Sequence, residues 1–233
     1  MTIFQIIALI AMAFCALALL LFFSKLVRLG APKDLSEPSG SVKEGVIYSN
    51  TLAMLPNQKE SAYKHLPSFV SGMLFHAGIF LSLLMLIISF FPCLIQWIVN
   101  YCWIQYAITG MLLITSICGL SLFIKRVIHK SLRSFSNLDD YLSNGLSTLF
   151  QIFTLLWVLT PGVDAVHVPH LIALWQLLLI PSVCTIHTCY YIVVILFMLY
   201  MPLGKLKHFL YYFSARYHLG FFYGRRNVWP PKK

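Results

Sequence analysis

The sequence predicts an all-α integral membrane protein, a five-transmembrane-helix bundle with its N-terminus outside and its C-terminus in the cytoplasm. Three observations predict it. The chain of 233 residues is 59% hydrophobic and only 10% charged, against about 25% charged residues in a water-soluble domain. Five apolar runs are each close to the ~20 residues that a spanning helix needs. All 17 Lys and Arg fall before, after or between these runs, and only in alternate connections. The mean hydropathy of +0.81 agrees with the first of these.

Residues 3–23 form the first run. No charge precedes it, a basic flank with Lys25 and Arg28 follows it, and a small-residue cleavage site is missing. A removed signal peptide carries its basic flank on the other side, so a retained first helix (1–28) is expected. Residues 29–66 are the one long polar segment, with Pro32, Pro38, Pro56 and four lysines. A short interfacial helix is expected at 49–54, with Tyr48 and Tyr63 at headgroup level.

The second span covers 69–91 and is ended by Pro92. A short uncharged turn, 93–102, places Trp97, Tyr101 and Trp103 at an interface. The third span, 103–124, is followed by Lys125, Arg126, Lys130 and Arg133. The fourth runs over 141–159, and the next connection carries Asp164, His167 and His170 but no Lys or Arg. Residues 171–180 either lean on the outer surface or extend the fifth span, 182–203. The core is thus 67–210, and a basic, aromatic cytoplasmic tail, 211–233, closes the chain.

Orientation follows from charge. The basic residues occupy the first connection, the third and the tail, which share one side in a five-span chain. The positive-inside rule makes that side cytoplasmic. The net charge of +10 is thereby explained, and nucleic acid drops out as a partner. The six cysteines form no CxxC and mostly sit in apolar runs, where cysteine packs as a small hydrophobe. Cys184, His187 and Cys189 have zinc-ligand types but no closed set of four, so packing is the reading there.

Three histidines lie in or at the edge of apolar runs, and imidazole in a hydrocarbon layer marks a functional site with a partner to be named. His76 is on the inner half of the second span. His208 is at the inner end of the fifth. Two histidines from different helices at one membrane level can supply both axial imidazoles of a b-type haem. Gly72 lies one turn from His76 and Gly78 nearby, which would let a flat macrocycle approach the backbone. His187 stands 21 residues before His208, ~31 Å along a straight helix. It is open to three readings: ligand of a second haem, quinone contact, or structural residue. No catalytic residues are assigned, and HxxH occurs only as His167 and His170, too little for a di-iron enzyme.

The motif FHAGI at 75–79, the motif MPLGKLKH at 201–208 and the basic stretch 125–133 followed by DDY at 139–141 resemble the respiratory nitrate reductase gamma subunit family of membrane cytochromes b. The long first loop and GRRNVWP at 224–230 look more like gamma-type subunits that accompany heterodisulfide-reductase-like iron–sulfur proteins. The resemblance implies a subunit of a respiratory oxidoreductase in a bacterial or archaeal inner membrane. Such a subunit passes electrons between the quinone pool and a cytoplasmic iron–sulfur partner and converts no substrate by itself. Family members carry a second histidine about ten residues further along the second span. Leu86 and Met85 stand there here, so one haem is expected and a second place stays open. The rival is a haem-free membrane anchor or assembly subunit.

Overall fold

In the computed structural model, which describes residues 2–30, 33–58, 60–160 and 183–231, every regular element is helical. In chain order these are α1 (Ile3–Arg28), α2 (Val42–Asn50), α3 (Glu60–Lys64), α4 (Leu66–Ile88), α5 (Pro92–Asn100), α6 (Cys102–Ile128), α7 (Lys130–Ser134), α8 (Leu138–Leu159), α9 (Val183–Tyr200) and α10 (His208–Arg225). Helices α1, α4, α6 and α8 are long and apolar enough to cross a membrane. The number is five if α9 and the helical stretch after it count as one span. The segments expected around Asp164, His167, His170 and 171–180 lie outside the described residues.

Local chemistry sets the ends of these helices. Asn137 caps α8 with a reciprocal box: its side chain accepts from the Asp140 N–H at 3.1 Å, and the Asp140 carboxylate accepts from the Asn137 N–H at 3.0 Å. Both orphan donors of the first turn are thus satisfied, with acidic charge at the positive end of the helix. Pro92 was expected only to end a span, yet it also opens α5. Proline suits a first helical turn because the N–H it lacks would have no partner there. Helix α9 stops at Tyr200, short of Pro202, whose ring would clash with the carbonyl four residues back. The span expected over 182–203 therefore ends at Tyr200. His208 instead heads α10, after a 3₁₀ turn at Lys205–Lys207.

The chain divides into two compact units. One comprises Met1–Ala13 and Val70–Tyr200. Its α8 packs on α6 and on α9, with Phe150 stacked on Phe197 (centroids 4.6 Å apart) and Trp157 on Tyr190 (5.5 Å). The buried residues of α8 include Ser147, Thr148, Gln151 and Thr154 beside Phe150, Leu155, Trp157 and Val158, and Thr115 and Ser116 of α6 and Ser82 of α4 are buried as well. The outward faces carry Leu84, Leu113, Ile117 and Leu149. Apolar residues outside and hydroxylated ones among those buried suit a bilayer. Lipid tails solvate leucine as well as protein does, so small and hydroxylated residues that allow close packing take the interface.

The other unit comprises Phe14–Phe69 and Met201–Lys233, and its centre is the pairing of α2 with α10. Ser49 Oγ donates to the Arg216 carbonyl at 2.7 Å, and Gly45 faces Gly220 and Gly224. The Ser39 and Gly40 N–H groups donate to the Arg225 carbonyl at 2.9 and 3.0 Å. Ascending residues of the first segment thus meet descending residues of the second, and the pair is antiparallel. Where a short helix was expected at 49–54, α2 ends at Asn50 and a 3₁₀ turn follows at Leu52–Met54.

Asp34 fastens the loop before α2. Its carboxylate accepts from the Ser36 N–H at 3.0 Å and the Ser36 hydroxyl at 2.8 Å, and pairs with the Arg226 guanidinium at 2.5 and 3.1 Å. The Ser36 N–H and hydroxyl, then Arg226, hold its carboxyl below the ordinary carboxylate value. A depressed pKa contributes stability that is complete above the unfolded value, about 3.9. That contribution disappears as pH falls through the folded value. Hydrogen-exchange protection of residues 33–40 is therefore expected to drop below about pH 4 in the wild type and to lose that dependence in Asp34→Asn.

Candidate functional site

Each expected site residue is placed by a different element. His76 stands on an exposed face of α4, one turn after Gly72. Its Nδ1 lies 2.7 Å from the Gly72 carbonyl oxygen. A carbonyl only accepts, so Nδ1 carries the proton and the lone pair of the neutral ring is on Nε2. A backbone carbonyl that accepts from the other ring nitrogen fixes ring orientation and tautomer in this way for metal-binding histidines generally. Beside it, a Cβ added at Gly72 would meet nothing within 4 Å, so the surface next to the imidazole is open.

Gly78 has a different surrounding. A Cβ there would collide with the Thr115 side chain and approach Gln151 Oε1 at 2.6 Å. The space next to Gly78 is filled by helix packing within the bundle. The residue before His76 is fixed from two sides. The Phe75 carbonyl accepts from Gln151 Nε2 at 3.0 Å. The Phe75 ring lies where a Cβ on Gly119 would be, 2.8 Å from the nearest ring carbon. Neither Gln151 nor Gly119 was singled out from the sequence. The only hint available was an amide among apolar residues of a spanning run.

His187 belongs to α9 and is half-buried. Its ring is 6.3 Å from that of Trp157, and Nε2 is 3.4 Å from Thr160 Oγ1. The Thr160 hydroxyl has one proton, and the Trp157 carbonyl lies 2.9 Å away to accept it. Its oxygen is then left to accept from the imidazole, which puts the His187 proton on Nε2. His187 thus shows the opposite tautomer from His76. This contact gives His187 a hydrogen-bonding partner at the C-cap of α8.

His208, the first residue of α10, is exposed, with Nδ1 2.9 Å from the Lys205 carbonyl oxygen. The same reasoning puts its lone pair on Nε2. His76 and His187 fall in the unit built on Val70–Tyr200, and His208 in the one built on Phe14–Phe69 and Met201–Lys233.

The fold defines a multi-pass α-helical membrane protein with imidazoles on its apolar helices. Comparison with protein-family models, with curated proteins and with solved structures finds no match to this chain.

Proposed function

We propose that the chain is a membrane cytochrome b subunit of a respiratory oxidoreductase, moving electrons between membrane quinone and a cytoplasmic iron–sulfur partner. The observation that carries this reading is His76. It is an imidazole on an open face of a spanning helix, with Nδ1 committed to the Gly72 carbonyl and an uncovered glycine beside it. On the sequence reading, His76 and His208 are the axial ligands of one haem b. The haem, when bound, supplies a one-electron carrier whose potential follows ligand identity and burial. The chain's own residues orient the rings: Gly72 and Lys205 through their carbonyls, and Gln151 by holding the backbone at Phe75. The positive-inside distribution supports a cytoplasmic C-terminus; on this reading the membrane is a bacterial or archaeal inner membrane and the basic tail meets the partner.

The test is a dithionite-reduced-minus-oxidised spectrum of the purified chain with pyridine haemochrome quantitation. One b-haem per chain in the wild type and complete loss in His76→Ala are expected. Two haems, one surviving the substitution, would send the second to His187. A wild-type chain expressed with sufficient haem supply and showing no Soret band would overturn the cytochrome reading in favour of a haem-free anchor.

A further inference from the structure

The unit formed by Phe14–Phe69 and Met201–Lys233 contains a cleft of about 470 Å³ between the end of α1 and the start of α10. Its walls include Leu26 and Val27 from α1 and Leu210 and Phe213 from α10, with Ser214, Tyr217 and His218 as the polar side chains. Val27 and Phe213 are 61% and 63% exposed, so the walls offer apolar surface that no part of the unit covers. Next to the cleft, two ammonium groups converge on one ring: Lys25 Nζ lies 5.8 Å and Lys207 Nζ 5.2 Å from the Phe22 centroid. Neither lysine has an acidic partner among the described residues.

Two like charges drawn to the same ring repel each other, and cation–π attraction offsets only part of that. An anion between them would remove the repulsion. The lysines sit where the first spanning helix ends, at headgroup depth, and the adjoining cleft is apolar and long-walled. A soluble anion would use the lysines and leave the cleft empty. A neutral isoprenoid would use the cleft and leave the charges unmatched. An anionic phospholipid uses both.

We propose that this cleft binds one anionic phospholipid, its phosphate between Lys25 and Lys207 and an acyl chain along Leu26, Val27 and Leu210. The site is independent of the haem reading and rests only on the membrane assignment. Thirteen of the 17 basic residues but only four of the seven acidic ones belong to this unit, so the surrounding field has the sign an anionic headgroup needs.

Native mass spectrometry of the full chain in detergent, titrated with dioleoylphosphatidylglycerol or dioleoylphosphatidylcholine, tests it. A saturable adduct of one phosphatidylglycerol, at least about tenfold tighter than phosphatidylcholine, is expected. Lys25→Gln with Lys207→Gln should weaken it about 30-fold, which is ~2 kcal/mol for two interfacial lysines. Lys130→Gln with Arg133→Gln, which removes equal charge elsewhere, should leave it unchanged. Val27→Trp, which fills the cleft and keeps both lysines, should also abolish the adduct. Equal affinity for the two lipids, equal losses in both charge variants, or retained binding in Val27→Trp would each overturn the proposal. So would one-for-one displacement by a short-chain quinone, which would make the cleft a quinone site.

Discussion

Gly220→Ala is expected to destabilise the α2–α10 pair, although alanine is the better helix former by about 1 kcal/mol. A Cβ at Gly220 would stand 2.5 Å from Val46 Cα and 2.8 Å from the Gly45 carbonyl oxygen. Both are backbone atoms of α2, and no rotamer change can move them aside. Gly224 repeats the situation one turn on, with the Ser41 carbonyl at 2.7 Å. The two helices therefore meet backbone to backbone along a small-xxx-small stripe, an approach that only residues without a side chain allow. Overpacking such a contact costs about 1–3 kcal/mol, and more where the neighbours are rigid. Separation would also break the Ser49–Arg216 and Gly40–Arg225 hydrogen bonds. Thermal unfolding and tryptic cleavage at Lys43 read the effect, and Gly220→Val should be worse than Gly220→Ala. The control is Gly110→Ala on α6, where an added Cβ meets nothing within 4 Å and stability should stay level or rise. Stabilisation by Gly220→Ala would show that the two helices do not touch as described.

That pairing also marks the boundary of what the sequence makes legible. Spans α1, α4, α6 and α8 are readable because length and hydropathy are local properties, and the bilayer enforces them residue by residue. The contact between Gly45 and Gly220 joins residues far apart in the chain, and composition carries no signal of it beyond the glycine spacing of the tail. The tail reads as basic and aromatic, which describes its surface and not that it is a helix packed on the first loop. At Pro202 the chemistry is visible, yet the apolar run continues to residue 203, whereas the helix ends at Tyr200. His76 is conspicuous in sequence because a lone imidazole stands out among apolar neighbours. Its supports are not, since Gln151 and Gly119 act on Phe75 from other helices. The pattern of α8, with hydroxyls and an amide every third or fourth residue, was the available clue that its polar face turns inward.

Those supports lead to the second large effect. Gly119→Val would place side-chain carbon where the Phe75 ring and Thr148 Oγ1 now are, each 2.8 Å from the added Cβ. The ring can swing only by rotating the turn of α4 that carries it, and that turn is tethered by Gln151 Nε2 at the Phe75 carbonyl. The strain is shared between α4 and α6, at a cost of about 1–3 kcal/mol. Gln151→Leu acts on the same turn more gently. A side-chain hydrogen bond in a helical membrane protein averages ~0.6 kcal/mol, and the substitution also removes Gln151 Oε1, a buried acceptor with no partner among the described residues. The expected order of destabilisation is therefore Gly119→Val well above Gln151→Leu, measured by thermal unfolding in one detergent. Both substitutions leave His76 and its Gly72 carbonyl in place, so they separate position from identity. If His76 ligates haem, Gly119→Val should retain the cofactor while shifting its spectrum and midpoint potential, because the imidazole is re-aimed. If His76 is only structural, unfolding temperature alone should move. A variant that melts earlier with an unaltered haem spectrum would separate the packing of Phe75 from any role of its neighbour in electron transfer.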